Sequence, residues 1–188
     1  VLRKLDADAA TRAIGIAASM ASGLVANFGS MTKPFHLGHS ARCALQATRL
    51  AQAGMTASPD AIEHELGFLR AISPKGNVDT NSPAQFGTLW RILKQGINVK
   101  LYPMCFGTHR ILDAMIDVCA DNKVKAADIQ QVDVELGENS VKILRNARPQ
   151  TALEAKFSAQ FAIAAAAIAG KCGDEEVSTA FVRRPDVQ

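Results

Sequence analysis

Alanine-rich stretches between helix-capping signals are the feature that most constrains the fold of this chain. Asp8 precedes residues 9–25, a run dominated by alanine, and an Asp before an apolar periodic run marks a helix start. A second helix is predicted over residues 38–53, and a capping Ser followed by Pro predicts a third over residues 58–66. Small side chains allow helices to approach closely, so the first region is predicted to be all-α.

Loop composition interrupts the helical pattern between residues 73 and 82, where Pro, Gly, Asn, Asp and Ser are concentrated. We place a domain boundary near residues 95–98. The predicted domains are residues 1–96, a portion of a helical domain, and residues 97–188.

The second region mixes strand and helix signals. Residues 99–102 predict a short strand stopped by Pro103, and residues 132–136 alternate apolar and acidic side chains, which indicates a strand with one buried face. A capping box at residues 151–154 predicts a helix that ends at Gly170. The predicted fold class is therefore mainly α, with a helical portion followed by a smaller α+β domain that we expect to be truncated at its C-terminus.

Composition excludes several functional classes. The 188 residues are 48% hydrophobic, enough for a real core, and the net charge of +3 comes from scattered Lys and Arg with one Trp and one Tyr, which argues against nucleic-acid binding. Residues 161–169 are about half the length that crosses a bilayer, and no signal peptide opens the sequence. We expect a soluble, cytoplasmic protein with no membrane or nucleic-acid partner.

The cysteines give no sign of a disulfide framework or a metal site, because they are widely separated and no His stands at zinc-finger spacing. They are Cys43, Cys105, Cys119 and Cys172. No base is adjacent to Cys105 in sequence, so packing is a better interpretation of it than thiol catalysis. Since no glycine-rich phosphate loop is present either, we expect neither a metal nor an organic cofactor.

The first candidate site is the turn before the second predicted helix. Lys33, His36 and His39 crowd this turn, and cations beside free helix N–H groups suit an anion. Pro34 is expected to hold Lys33 out of helical geometry. The alternative is that Lys33 and His39 are solvated loop residues and His36 a hydrogen bonder at the helix end.

The second candidate site runs from Lys100 to His109, where a predicted strand leads into a helix capped by Thr108. The helix N-terminus disfavours a charged imidazole, so His109 could accept a proton. The alternative is an exposed strand lysine and a surface histidine. Two Lys–His turns together suggest an anionic substrate.

These stretches resemble the MmgE/PrpD family. The matching motifs occur in the family's order and cover nearly the whole chain: ASGL at 21–24, NFGSMTKPFHLG at 27–38, GF at 67–68, K-x-Y-P-x-C-x-x-T-H at 100–109, DA at 113–114, EAKFS at 154–158 and RPDVQ at 184–188. The resemblance implies a large helical domain and a smaller α+β domain with the active site between them, in a protein more than twice this length that forms a homodimer.

The resemblance also implies roles for individual residues. Lys33 and Lys100 fall on the family's active-site lysines, and Cys105 stands where some members carry a His. The family's other acid, Thr and His groups are expected upstream of this sequence. Phe161 occupies the place of an active-site Tyr in many members, and because it cannot donate a hydrogen bond, decarboxylase-like chemistry is disfavoured.

We therefore expect catalytic roles for Lys33, Lys100 and His109, with further substrate contacts listed here: His36, Cys105, Thr108 and Phe161. The implied activity is cofactor-independent dehydration of 2-methylcitrate, a step of propionate catabolism, or of a related polycarboxylate. Two alternatives stay open: an epimerase or decarboxylase of a related diacid, and a non-catalytic fragment that serves only in packing or dimerisation.

Overall fold

Helices dominate the computed structural model, which describes residues 3–73 and 75–188; Val1 and Leu2 of the first predicted domain, and Pro74 of the predicted loop, lie outside the described residues. The α-helices are α1 (Ala7–Ser19), α2 (Thr32–Gln52), α3 (Phe68–Ile72), α4 (Arg91–Gln95), α5 (Phe106–Asn122), α6 (Glu138–Ile143), α7 (Ala152–Ala155), α8 (Ala159–Ala169) and α9 (Thr179–Val182). Short 3₁₀ turns occupy Val25–Asn27, Ser82–Gln85 and Ala126–Asp128. The mainly α prediction is confirmed. Among the described helices, none combines the length and the apolar character that a membrane crossing needs.

The chain divides into two compact units. The first contains the residues up to Gly23 together with Pro34–Ile97, and the second contains Leu24–Lys33 together with Asn98–Gln188. The predicted division into domains of 1–96 and 97–188 stays a prediction. The second unit thus includes a ten-residue segment that precedes most of the first unit in sequence, and this segment carries Lys33.

Each unit has its own core built largely from small side chains. In the first unit, Ala13 and Ile16 of α1 pack with Ala47 and Ala51 of α2, all less than 9% exposed. In the second unit α5 packs on α8, and the buried side chains include Met104, Leu112, Met115, Phe161, Ala162, Ala165, Ala166 and Val182. The alanine-rich pattern therefore does bring helices close together, as the sequence indicates.

Several predicted helix boundaries were wrong. The N-cap of α1 is Asp6, whose carboxylate accepts the Ala9 N–H at 2.7 Å, so Asp8 falls in the first turn, where an acid is also favourable. The helix ends at Ser19 with Met20 as its C-cap, and Gly23, at φ +129°, is not helical, so the predicted extension to residue 25 was wrong. Residues 58–66 form turns, since local side-chain bonds such as that from Leu66 N–H to the His64 ring replace helical ones.

Two boundary corrections affect the candidate sites directly. Helix α2 begins at Thr32, so Lys33 is helical and the prediction that Pro34 holds it out of helical geometry was wrong. Pro34 is tolerated in the first turn because the backbone N–H groups of that turn have no acceptor within the helix, so the N–H that proline lacks is not needed there. Helix α5 begins at Phe106, so Thr108 does not cap it. The Thr108 hydroxyl instead donates back to the Cys105 carbonyl at 2.8 Å.

The two predicted strands, residues 99–102 and 132–136, are not strands in the described part of the chain. The β pairing found there is an isolated antiparallel bridge between Arg145 and Ser158. A stretch of strand-like composition becomes a strand only when a second segment hydrogen-bonds to it, and neither stretch makes a backbone hydrogen bond to another described segment. The described residues therefore contain helices without the sheet that the α+β prediction includes.

Candidate active site

The segment that carries Lys33, Leu24–Lys33, is held within the second unit by a hydrogen bond and by a close backbone approach. The Arg145 guanidinium donates to the Ala26 carbonyl at 2.6 Å. Gly29, at φ +87°, passes close to Asn146, whose side-chain amide donates to the Glu154 carbonyl at 3.0 Å. The Leu24–Lys33 segment is therefore held by residues more than a hundred positions away in the sequence.

The ammonium of Lys33 lies over two aromatic rings. Its Nζ is 4.5 Å from the ring centroids of both Phe28 and Phe157, which are themselves 5.3 Å apart. Phe157 is buried, whereas Lys33 is exposed. Cation–π contacts orient the ammonium without using its N–H donors, so these donors remain available to an anion.

The second candidate stretch docks on the same turn. Lys100 Nζ donates to the Met104 carbonyl at 2.8 Å, and Cys105 N–H donates to the Lys156 carbonyl at 2.9 Å. Lys156 is followed by Phe157, the ring under Lys33. The two lysine-bearing segments thus meet the EAKFS turn at adjacent residues, and none of the ion pairs in the described part of the chain involves either lysine.

His109 lies in the first turn of α5, with 6% of its surface exposed. The rings of Tyr102 and Phe106 stand 5.2 Å from its ring, one edge-on and one tilted. Its Nε2 is buried and has no hydrogen-bond partner among the described residues. A buried imidazole nitrogen without a partner is uncommon and needs one from water or a ligand.

Tyr102 is linked to α5 by a second contact, since its hydroxyl donates to the Asp113 carboxylate at 2.6 Å. This hydrogen bond, with partial burial, raises the pKa of Tyr102 to about 12, because ionisation would place a phenolate beside a carboxylate. The Tyr102–Asp113 pair therefore fixes the aromatic wall against which His109 packs.

Tyr102 is the chain's one tyrosine, so its titration can be followed by phenolate absorbance without interference. We expect a midpoint of about 12. Asp113→Asn should move it toward the ordinary value of about 10, whereas Asp117→Asn, the weakest of the contributing charges, should leave it nearly unchanged. A midpoint that stays near 12 in the Asp113 variant would contradict the assigned cause.

The raised pKa of Tyr102 also makes stability depend on pH. Because the pKa is higher in the folded state, the contribution of Tyr102 to stability is complete below pH ~10 and is lost as pH rises through about 12.

The remaining predicted site residues are placed differently. His36 belongs to the first unit, where its half-buried ring lies beside Gly23. Phe161 is 2% exposed in the core of the second unit, edge-on to Phe181, and Thr108 is fully buried.

Lys33 and Cys105 thus contact the turn at residues 156–157, and Lys100 bonds the Met104 carbonyl beside Cys105. The first turn of α5 carries His109 and Thr108, whose hydroxyl bonds the Cys105 carbonyl. Phe161 lies in the core of the second unit, and His36 is described within the first unit alone. All seven roles stay predictions.

Sequence reasoning missed the aromatic residues that orient the candidate groups. They are Phe28 and Phe157 under Lys33, and Tyr102 with its partner Asp113 beside His109. Each stands inside or next to a motif already singled out. Their pairings join distant parts of the chain or different elements, however, and a single sequence contains no periodicity that reports such contacts.

Comparison with known proteins gives two family matches and several relatives. The MmgE/PrpD N-terminal domain model matches residues 1–81, and the MmgE/PrpD C-terminal domain model matches residues 102–188. A cis-aconitate decarboxylase of Mus musculus is 25% identical over 182 residues, covering 94% of this chain and 36% of that protein. The Homo sapiens protein of that name is 26% identical over 184 residues, covering 94% of this chain and 37% of that protein. The Aspergillus terreus protein of that name is 26% identical over 183 residues, covering 89% of this chain and 37% of that protein. The chain spans little more than a third of the length of these relatives.

Proposed function

This chain belongs to the MmgE/PrpD family, and from that membership we propose that it serves a cofactor-independent lyase that dehydrates 2-methylcitrate or a related polycarboxylate. The observation that carries the proposal is the meeting of the Lys33 and Lys100 segments on adjacent residues of one turn. Two ammonium groups delivered to one region suit a substrate with several carboxylates.

In the proposed reaction a base removes a proton from the carbon beside a carboxylate, and the C–H electrons form the new C=C bond. The hydroxyl on the neighbouring carbon leaves with its bonding electrons and is protonated to water by a general acid. Negative charge builds on the carboxylate as the proton departs, and Lys33 and Lys100 stabilise it. We assign the role of base to His109, whose buried Nε2 lacks another partner among the described residues.

Decarboxylation is the second candidate, because the three relatives named above are cis-aconitate decarboxylases. The buried phenyl ring of Phe161 disfavours it, since no hydroxyl is available there. Epimerisation would use the same carbanion with a different fate. A packing or dimerising module without turnover is supported by large apolar side chains on the surface of the first unit, such as Phe86 and Leu93, each 83% exposed. A homodimer likewise remains a proposal.

Incubation of the chain with 2-methylcitrate, citrate and cis-aconitate in deuterated water distinguishes these functions. Dehydration is expected to produce alkene absorbance and a new vinyl signal in the NMR spectrum. Release of CO₂ would instead identify a decarboxylase, and deuterium incorporation without net conversion an epimerase. If NMR titration of the folded chain detects neither turnover nor binding of any of the three acids, the non-catalytic module is the correct reading.

A further inference from the structure

Arg145 is attached to two separate parts of the second unit. Its backbone forms an isolated antiparallel bridge with Ser158, and the N–H of the following residue donates to the Phe157 carbonyl at 3.3 Å. Its guanidinium reaches in another direction and donates to the Ala26 carbonyl at 2.6 Å. One residue is therefore held beside Phe157 by its main chain and bonded to the Leu24–Lys33 segment by its side chain.

The Ala26 carbonyl is the point at which Arg145 holds this segment. The carbonyl of the residue before it accepts the Phe28 N–H at 2.9 Å, and the carbonyl of the residue after it accepts the Ser30 N–H at 3.2 Å. These bonds close a compact turn, so the position of Ala26 determines the position of Phe28, two residues further on. Because a charged donor makes a stronger hydrogen bond than a neutral one, the guanidinium is well suited to fixing this turn.

The rings of Phe28 and Phe157 determine where the Lys33 ammonium lies. Their centroids are 5.3 Å apart, and the Lys33 Nζ is 4.5 Å from each of them. An ammonium attracted to two ring faces is located by both, so a movement of one ring relative to the other also moves the charge. Arg145 is bonded to the Phe157 side by its backbone and to the Phe28 side by its guanidinium, and it thereby sets the spacing of the two rings.

We propose that Arg145 is a positioning residue for Lys33. It keeps Phe28 and Phe157 at the separation that holds the ammonium in place, and it acts without touching the substrate. Its effect on turnover rests on the proposed function, in which Lys33 stabilises the charge that develops on a carboxylate. Its effect on the location of the ammonium does not, because that location depends on contacts within this chain.

The location of the Lys33 ammonium can be measured without turnover. Reductive methylation with isotope-labelled formaldehyde converts lysine ammonium groups into dimethylammonium groups, which stay charged and give NMR signals, and Lys33→Arg identifies the signal of Lys33 by its loss. We expect this signal to lie upfield of that of the exposed Lys142, because protons over the face of an aromatic ring are shielded. In Arg145→Met the Lys33 signal should move toward the Lys142 position.

Activity is the second measurement. A misplacement of about 1 Å can lower a rate roughly a hundredfold, so Arg145→Met is expected to lower kcat/KM by roughly ten- to a hundredfold for whichever acid the protein turns over. Arg183→Met is the matched control, since the Arg183 guanidinium also donates to a backbone carbonyl of the second unit, that of Gln150 at 2.9 Å. This control should change neither the Lys33 signal nor kcat/KM.

A Phe28→Leu background tests the route by which Arg145 acts. If the effect passes through Phe28, adding Arg145→Met to Phe28→Leu should lower kcat/KM by less than Arg145→Met does alone, because the two substitutions disrupt the same contact. A full additional loss would show that Arg145 acts by a different route and would overturn the proposal.

The Lys33 signal separates failure of this proposal from failure of the proposed function. A signal that stays at the parent position in Arg145→Met, with the fold retained by circular dichroism, overturns the proposal, and a fall in activity would then identify Arg145 as a direct substrate contact. A displaced signal with unchanged kcat/KM overturns it as well. If the parent protein turns over none of the acids, the proposed function fails, and a displaced signal still supports the placement of Lys33 by Arg145. Should Arg145→Met not fold, Arg145→Lys, which keeps a charge and a donor but loses the planar fork, is measured under the same criteria.

Discussion

Replacing Lys33 or Lys100 by methionine is expected to lower kcat/KM by about a hundredfold or more for whichever acid the protein turns over. Removing one preorganised donor to a developing anion typically costs about 3–4 kcal/mol. Methionine keeps an unbranched apolar stem, and at position 33 it can still pack on the rings of Phe28 and Phe157. The substitution therefore removes the charge while preserving most of the packing.

Lys142→Met is the matched control. Lys142 belongs to the same unit, is 66% exposed and pairs with Glu138 on the surface, an arrangement worth at most about 1 kcal/mol. Its activity should equal that of the parent protein. If the chain binds the acids without turnover, the same three variants are compared by Kd, where loss of a charged hydrogen bond is expected to weaken binding roughly tenfold or more. Equal constants for all three variants would exclude both lysines from the site.

Signals that act over a few residues could be predicted from the sequence. The capping box is present as expected: Thr151 accepts the Glu154 N–H, and the Glu154 carboxylate accepts the Thr151 N–H. Gly170 ends α8 with φ +64°. The single helix predicted between these two signals was wrong, because it is divided into α7 and α8, and the Ser158 hydroxyl caps the second by accepting the Phe161 N–H. These are local hydrogen-bonding rules that tertiary structure seldom overrides. Asp6 and Asp8 both satisfy the residue preference for an N-cap, so this preference alone does not choose between them.

Features that require a distant partner could not be predicted. Residues 99–102 and 132–136 have strand composition, but composition does not supply the neighbouring strand. The candidate site also depends on distant contacts. The motifs around Lys33 and Phe157 were each recognised, but the contact between the Lys33 ammonium and the Phe157 ring depends on Leu24–Lys33 being part of the second unit. Sequence reasoning thus identified candidate groups and missed the aromatic residues that orient them.

The second large effect is expected at Gly29, where alanine should destabilise the protein by about 2–5 kcal/mol. Gly29 has φ +87°, which costs an L-residue about 1–2 kcal/mol. A Cβ there would also lie 2.6 Å from Nδ2 of Asn146. Either the Asn146 amide gives up its bond to the Glu154 carbonyl or the segment shifts, and overpacking of this kind typically costs a further 1–3 kcal/mol.

Gly54→Ala separates the two contributions. Gly54 has nearly the same backbone angle, φ +90°, but a Cβ there meets nothing within 4 Å, so only the conformational cost of about 1–2 kcal/mol applies. Urea unfolding followed by circular dichroism should therefore show a larger loss of unfolding free energy for Gly29→Ala than for Gly54→Ala.

An Asn146→Ala background removes the clash. In that background Gly29→Ala should lower the free energy of unfolding by no more than Gly54→Ala does. An unchanged cost in that background would mean that Asn146 does not constrain the segment. Because Lys33 is four residues beyond Gly29, a confirmed clash should be accompanied by reduced activity or substrate binding in Gly29→Ala, while Gly54→Ala remains as active as the parent.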